Sequence, residues 1–302
     1  MGNIYAVIGS QYGHEGKGDV VACLSKGCEL NVRCGKPGMT KTTYWQGNKY
    51  TTEFIPSGWQ HEDTVLCIGK GTRLNPAVFY EELQYLSKFD ANLRHRIIID
   101  GSCTLYHSFT MVKDFEPFVN FCKDRDIEIV DNTTSLIISA AKQGEVIIEG
   151  EGGFELSPYN GNGVVESAYD TTINTLSSEV GIPLSLLTVL MVVRARAVSN
   201  ERKVIDFDAQ SLSRAVFVNR PNAFIATYLD YISPRDRDVN EYDKLHPSSI
   251  AFVDYLEGLW QIPVAYLGTG RGVLMANKDT SKNRRKSTNA KTDRSGANKC
   301  GK

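Results

Sequence analysis

The sequence predicts an α/β fold built on a large, mainly parallel central sheet with flanking helices and long crossover loops. Three observations carry that expectation. Short β-branched or apolar runs recur along the chain, most of them bounded by Gly, Pro, Asn or Asp, as centrally buried strands are. Helix-period patterns stand between several of these runs, and strands that alternate with helices imply parallel pairing with both sheet faces covered. The composition is ordinary for a globular chain: 302 residues, 41% hydrophobic and 23% charged, long enough for one large domain or two ordinary ones.

In chain order, strands are expected at residues 4–8, 64–68, 96–99, 145–148, 189–193, 223–227 and 264–267. A helix over residues 76–86 places Val78, Leu83 and Leu86 on one side, and a second over 247–259 does the same with Ile250, Val253, Tyr255 and Leu256. A Gly/Asn-rich loop at residues 159–163 is long enough to reach over a site. No internal repeat is visible.

Charge divides the chain. Of 34 basic and 35 acidic residues, nine and two fall within residues 278–302, which leaves residues 1–277 about eight charges negative. The terminal stretch lacks aromatic and branched aliphatic residues, so it cannot bury a core, and it is read as a basic, disordered tail after one domain at 1–277. With no aromatic interleaved for base stacking, a nucleic-acid role is not expected beyond weak attraction by this tail. No apolar run approaches the roughly 20 residues of a membrane helix, and the N-terminus has no basic region followed by a cleavage site. Seven cysteines are scattered without a Cys-x-x-Cys pair, which excludes a disulfide scaffold and fits a reducing, cytoplasmic setting.

The first strand runs into Gly9-Ser-Gln-Tyr-Gly13-His-Glu-Gly16-Lys17-Gly18-Asp19. A glycine-rich turn between a buried strand and a helix start lets backbone N–H groups converge on phosphate oxygens, with the helix N-terminus and Lys17 adding positive charge. Neither the Walker A spacing, whose first Gly would fall at Gln11, nor G-x-G-x-x-G is present.

This stretch resembles the opening of the adenylosuccinate synthetases, which read G-x-Q-W-G-D-E-G-K-G. Further pieces follow collinearly to about residue 275. Asn31-Val-Arg33, Gly35 and Thr42 resemble V-R-x-x-G-G-x-N-A-G-H-T with one residue deleted; Phe54-Ile-Pro-Ser-Gly58 resembles L-I-P-S-G; Ile68 through Pro76 resembles I-G-N-G-V-x-x-x-P. Ile148-Glu-Gly-Glu-Gly-Gly-Phe154 resembles I-E-G-x-Q-G-F, and Asp170-Thr-Thr172 the later D-T-T. Leu229-Asp230 and Leu267-Gly-Thr-Gly270 resemble the K-L-D and G-T-G-P elements that hold guanine.

The resemblance implies a ligase that phosphorylates the 6-oxygen of a purine nucleotide with GTP and lets an amino acid's amine displace the phosphate. It implies a homodimer, and Mg²⁺ bound with the triphosphate. On matching positions the nucleotide would be held by Gly13, Glu15, Gly16, Lys17, Gly18, Thr42, Asp230, Gly268, Thr269 and Gly270, and the acceptor and amino acid by Thr172 and Arg202. The catalytic positions carry His14, where the family has the Asp that is both base and metal ligand, and Lys41, where it has the His that is the acid. A neutral imidazole can take a proton near pH 7 but is a poor Mg²⁺ ligand. A lysine is a weak acid unless its pKa is lowered.

Other pockets depart too. The S-T-G-K-G-I-G-P segment that holds IMP phosphate has no counterpart between residues 100 and 144, the R-R-R-R run becomes Asn200-Glu-Arg-Lys203, and the Lys before Leu-Asp is Tyr228, which weakens any preference for GTP over ATP. The viral 2-aminoadenylosuccinate synthetases, which also lack the first-loop Asp and can use adenine nucleotides, are the nearest functional analogue. Two functions therefore stand: a divergent ligase of purine nucleotides, or an inactive nucleotide-binding relative with a regulatory or assembly role. His61, His95, His107 and His246 lack ligand spacing. Asp206 and Asp208 look like caps or solvated carboxylates. Glu149 and Glu151 flank a glycine turn where a carboxylate can face a ligand, but no partner is in view in sequence.

Overall fold

The computed structural model describes residues 2–107, 110–161, 167–196 and 207–278. The first half runs β1 (Ile4–Gly9), α1 (Lys17–Leu24), β2 (Leu30–Arg33), the hairpin β3 (Lys41–Trp45) and β4 (Asn48–Thr52), β5 (Val65–Ile68), β6 (Arg73–Leu74) and α2 (Pro76–Leu86). It continues with β7 (Ile97–Asp100), β8 (Thr104–His107), β9 (Thr110–Met111), α3 (Glu116–Lys123), β10 (Glu128–Val130), α4 (Thr133–Gln143) and β11 (Val146–Glu149). The second half holds α5 (Ile173–Val180), β12 (Leu187–Arg194), α6 (Ala209–Asn219), β13 (Ala223–Thr227), α7 (Pro247–Trp260), β14 (Val264–Gly270) and β15 (Val273–Ala276).

Ten strands form one sheet in the order β10-β7-β5-β2-β11-β1-β12-β13-β14-β15. Every neighbouring pair in it is parallel except the terminal β14–β15 ladder. Side-chain alternation feeds two cores. Val189, Met191 and Val193 of β12 join Phe224 and Leu256 on one face, while Leu190 and Val192 join Val20, Val21 and Ile225 on the other. A third cluster, with Leu66, Ile97, Phe79 and Trp59, fills the β5–β7 end. Each such side chain contributes roughly 1.5–3 kcal/mol by leaving water.

The expected strands are all present within three residues at their ends. Helix α2 begins where Asn75 accepts the Ala77 amide at 3.1 Å, with Pro76 in the first turn. One detail of the helical stripes is corrected, in α7. In α2 the buried side chains are Phe79, Leu83 and Leu86, and Val78 packs partly buried against the same cluster, as expected. In α7 they are Ser249, Val253 and Leu256, and Tyr255 is 46% exposed, because it stands about 100° around the helix from Leu256. Asp208 caps α6 through the amides of Gln210 and Ser211, while Asp206 lies outside the described residues. Strand β2 was not foreseen, since Leu-Asn-Val-Arg is neither an apolar run nor a clean alternation, yet all four residues are buried.

The topology fixes where a ligand can sit. From β1 the chain steps outward through β2, β5, β7 and β10, returns to insert β11 beside β1, then leaves on the other side through β12, β13 and β14. The carboxyl ends of the parallel strands share one edge of the sheet, and the order reverses around β1. Crevices at that edge and reversal are where open α/β sheets bind ligands. Among the described residues no helix is long and apolar enough to cross a membrane.

Candidate nucleotide site

The loop after β1 lies at this reversal and is braced from inside. Glu15 is fully buried; its Oε1 accepts the amides of Gln11 (2.8 Å) and Gly13 (3.0 Å), and its Oε2 pairs with Lys17 Nζ at 2.5 Å. Burial alone would raise the Glu15 pKa, but Lys17 and the Gly13 amide outweigh it and hold it below the usual range. The loop is also fastened to neighbouring strands. The Gln11 side-chain amide pairs with the backbone of Arg194 in both directions, and Thr227 Oγ1 donates to the Glu15 carbonyl at 2.7 Å. Gly16 caps α1 at φ 84°, a left-handed conformation that favours glycine. The amides of the first turn of α1 have no partner within the helix and stand at the cleft that Gly16, Lys17, Gly18 and Asp19 line.

That cleft has a volume of about 700 Å³. Besides the loop, its walls are Lys41 and Thr42 at the start of β3, Lys49 and Thr51 from β4, Glu151 after β11, and Arg194 and Tyr228 at the ends of β12 and β13. With Lys17 paired to Glu15 and Lys41 to Glu151, Lys49 and Arg194 still outnumber the remaining carboxylate, Asp19, so the field inside favours an anion. Asp19 is engaged structurally: it accepts the Tyr44 amide at 2.8 Å and the Gly272 amide at 3.4 Å, and burial pushes its carboxyl up to about 6.

At the floor sits a three-charge cluster. Arg33 at the end of β2 is fully buried, donates to the carbonyls of Met39 (2.6 Å) and Thr52 (3.2 Å), and pairs through Nε with Glu151 Oε1 at 2.8 Å. The other Glu151 oxygen takes the Lys41 ammonium. Burial drives the Lys41 pKa down to about 8; Glu151 pulls the other way, and Arg33 pushes further down. Glu151 is held below the usual carboxylate range, because Arg33 and Lys41 together outweigh its burial.

The candidate positions therefore divide. Gly13, His14, Gly16, Lys17, Gly18, Lys41 and Thr42 meet at the cleft, with His14 exposed at its mouth. Glu15 is an internal brace. Lys17 is only 3% exposed and ion-paired, so it does not stand free to meet a phosphate as the sequence suggests. Gly268 and Gly270 line a separate gap of about 20 Å³ together with Gly16, Thr227 and Tyr228, room for a water but not for a base. Thr269 is fully buried and donates to the Val239 carbonyl. Asp230 is buried, 3.7 Å from Arg237, and its Oδ1 has no hydrogen-bond partner among the described residues; burial raises its pKa. Thr172 is buried away from the cleft and donates to Asp170 at 2.5 Å. Arg202 and the rest of the Asn200–Lys203 run lie outside the described residues.

Sequence reasoning left out Arg194 and gave Glu151 no partner. Arg194 donates to the His14 carbonyl at 2.7 Å and stacks 3.8 Å from the Tyr228 ring centre. The available signal was position: both follow or end apolar strands at the edge where the first loop lies.

The donor set does not fit a protein-held Mg²⁺. His14 offers no oxygen, Glu151 is committed to two cations and Asp19 to two amides, and no group of three His, Cys, Asp or Glu side chains among the described residues is placed to hold a metal.

A sequence profile described as adenylosuccinate synthetase matches residues 6–116, which include the first loop, Arg33, Lys41 and Thr42. An adenylosuccinate synthetase of Methanosphaera stadtmanae is 24% identical, over 87% of this chain and 94% of the relative. A fully ligated adenylosuccinate synthetase of Plasmodium falciparum superposes with a TM-score of 0.78 at 16% identity, covering 92% of this chain and all of that one. This chain is similar to the adenylosuccinate synthetases in sequence along most of its length and shares their fold. The fold is also shared with a cyanophage S-2L succinoaminodeoxyadenylate synthetase bound to dGMP and dATP, with a TM-score of 0.70 at 14% identity over 91% of this chain and 95% of that one. The shared fold places His14, Lys41 and Tyr228 within a retained architecture.

Proposed function

We propose that the protein is a nucleoside-triphosphate-dependent ligase that activates an oxo group of a purine nucleotide for amination by an amino acid. The observation that carries this reading is the cleft itself. The first-turn amides of α1, Lys41 and Arg194 converge on one anion-favouring volume at the sheet's reversal point, in a chain similar to such ligases. The triphosphate lies along the residue 13–18 loop. The acceptor oxygen attacks the γ-phosphorus and the nucleoside diphosphate leaves; the amine then displaces the new phosphate. His14 at the mouth takes the proton released from the purine ring. Lys41, its pKa lowered to about 8, neutralises charge on the transferred phosphoryl group, gives a proton to it as it leaves and regains one from the attacking amine. No step is assigned to a metal.

Asp230, with an unpartnered buried oxygen, accepts from the base: both N–H groups of guanine's edge or the single amino group of adenine. With Tyr228 in place of lysine, ATP or dATP is used at least as well as GTP. A homodimer in the cytoplasm belongs to the same reading.

A second reading, an inactive nucleotide-binding protein, is favoured by the Lys17–Glu15 pair, which cancels the loop's own full charge. One experiment covers both. ATP, dATP and GTP each raise the melting temperature of the protein, and with IMP or dGMP plus aspartate at least one triphosphate is cleaved with release of phosphate. Stabilisation without phosphate release selects the inactive reading. No stabilisation by any triphosphate overturns both.

A further inference from the structure

Lys41 does not stand alone on the cleft floor; it is aimed. Its ammonium ends on one oxygen of Glu151, whose other oxygen is fixed by Arg33, and Arg33 is in turn held by the Met39 and Thr52 carbonyls and by Thr52 Oγ1 at 3.1 Å. The series joins three separate elements, the end of β2, the start of β3 and the turn after β11, and of its three charged side chains Glu151 and Lys41 line the cleft while Arg33 does not. We propose that Glu151 is the positioning residue of this site: it holds the Lys41 amine at one point of the cleft wall and is itself held by Arg33. The proposal rests on Lys41 being the working group of the proposed ligase.

Glu151 is not itself a base. A carboxylate pinned between two cations gives up its charge reluctantly, so proton uptake is the wrong task for it. Its task is to keep an amine that burial disfavours as a cation both in place and charged. The charged groups facing Lys41 are Glu151 and Glu149, which favour the ammonium, and Arg33 and Lys17, which oppose it. Removing the Glu151 charge leaves two cations against one more distant carboxylate, so the Lys41 amine loses its proton at lower pH. A purely structural Glu151 would leave that titration where it is.

The test reads Lys41 directly and needs neither nucleotide nor turnover. The full chain is labelled with acetic anhydride across a pH series and acetylation of Lys41 is followed by mass spectrometry, in wild type, Glu151→Gln and Glu151→Asp. Wild type shows a midpoint near 8. Glu151→Gln, which keeps an oxygen for Arg33, moves the midpoint down by at least one pH unit, a rise of about fivefold or more in the reactive fraction at neutral pH. Glu151→Asp restores the charge and returns most of the shift. Midpoints that coincide in wild type and a folded Glu151→Gln overturn the proposal, and so does a Glu151→Asp variant that shifts as far as Glu151→Gln. If the midpoints move as expected but wild type cleaves no triphosphate with any purine acceptor, the positioning stands and the ligase reading falls.

Discussion

At the residue scale, the first loop shows that a motif lysine can be structural before it is catalytic. Lys17 is the residue that any phosphate-binding reading of Gly16-Lys17-Gly18 selects, yet its charge is neutralised by Glu15 inside the loop. Breaking such a buried pair from one side leaves an uncompensated charge. Lys17→Ala is therefore expected to cost about 3–5 kcal/mol, measured by urea denaturation, because the Glu15 carboxylate keeps only the Gln11 and Gly13 amides. Adding Glu15→Gln removes the orphaned charge and recovers most of that loss. Triphosphate affinity then separates the two roles of the lysine. If the double variant regains stability and binds ATP as wild type does, Lys17 is only a brace; affinity that stays low in the stable double variant means that its ammonium also meets the phosphates. A single variant as stable as wild type would remove the brace altogether.

At the element scale, the site depends on how closely α1 approaches the β3–β4 hairpin that carries Lys41 and Thr42. Gly18 makes that approach: a Cβ there would lie 2.3 Å from the Thr42 carbonyl oxygen, which is backbone and cannot swing away. Gly18→Ala must push helix and hairpin apart, so a drop in stability of about 1–3 kcal/mol is expected together with at least a tenfold loss of triphosphate affinity. Gly258 gives the contrast. It lies within α7, a Cβ there meets nothing within 4 Å, and its φ is not positive. Gly258→Ala should gain about 0.4–1 kcal/mol by restricting the unfolded chain, with affinity unchanged. Equal effects from the two alanines, read by urea midpoint and calorimetric titration, would show that the Thr42 contact does not set the cleft. The hairpin is further pinned at its far end, where Trp45 and Tyr50 pack edge-on against Trp59 at 5.5 and 5.0 Å.

At the scale of the whole molecule, the sheet was legible because its strands are hydrophobic on both faces, and such runs announce themselves in sequence wherever Gly, Pro or Asn bounds them. The first loop was legible for the same reason, since it directly follows one such strand. Arg33 and Glu151 were not, because a charge at a strand end gains meaning only when three distant segments meet, and no local pattern records that meeting. The proposed base position was half legible: Asp230 could be named, but not the closure of the gap beside Tyr228. Charge distribution supports one further expectation, which treats residues 278–302 as separate from the domain. The last strand, β15, ends at Ala276, and Asn277 completes the edge by bonding the carbonyls of Val264 and Ala265 at 2.9 Å each. Truncation after Lys278 removes eight of the nine basic residues of that stretch and both of its acidic ones, with no branched aliphatic or aromatic side chain among them. The truncated chain should therefore melt within about 1 °C of the full chain and bind triphosphate equally well, while its retention on a heparin column falls, since attraction to a polyanion is screened Coulombic attraction to exposed cations. A lower melting temperature would mean that the stretch packs on the domain. Retention that does not change would place the polyanion contact on the body, whose net charge of about −8 argues against it.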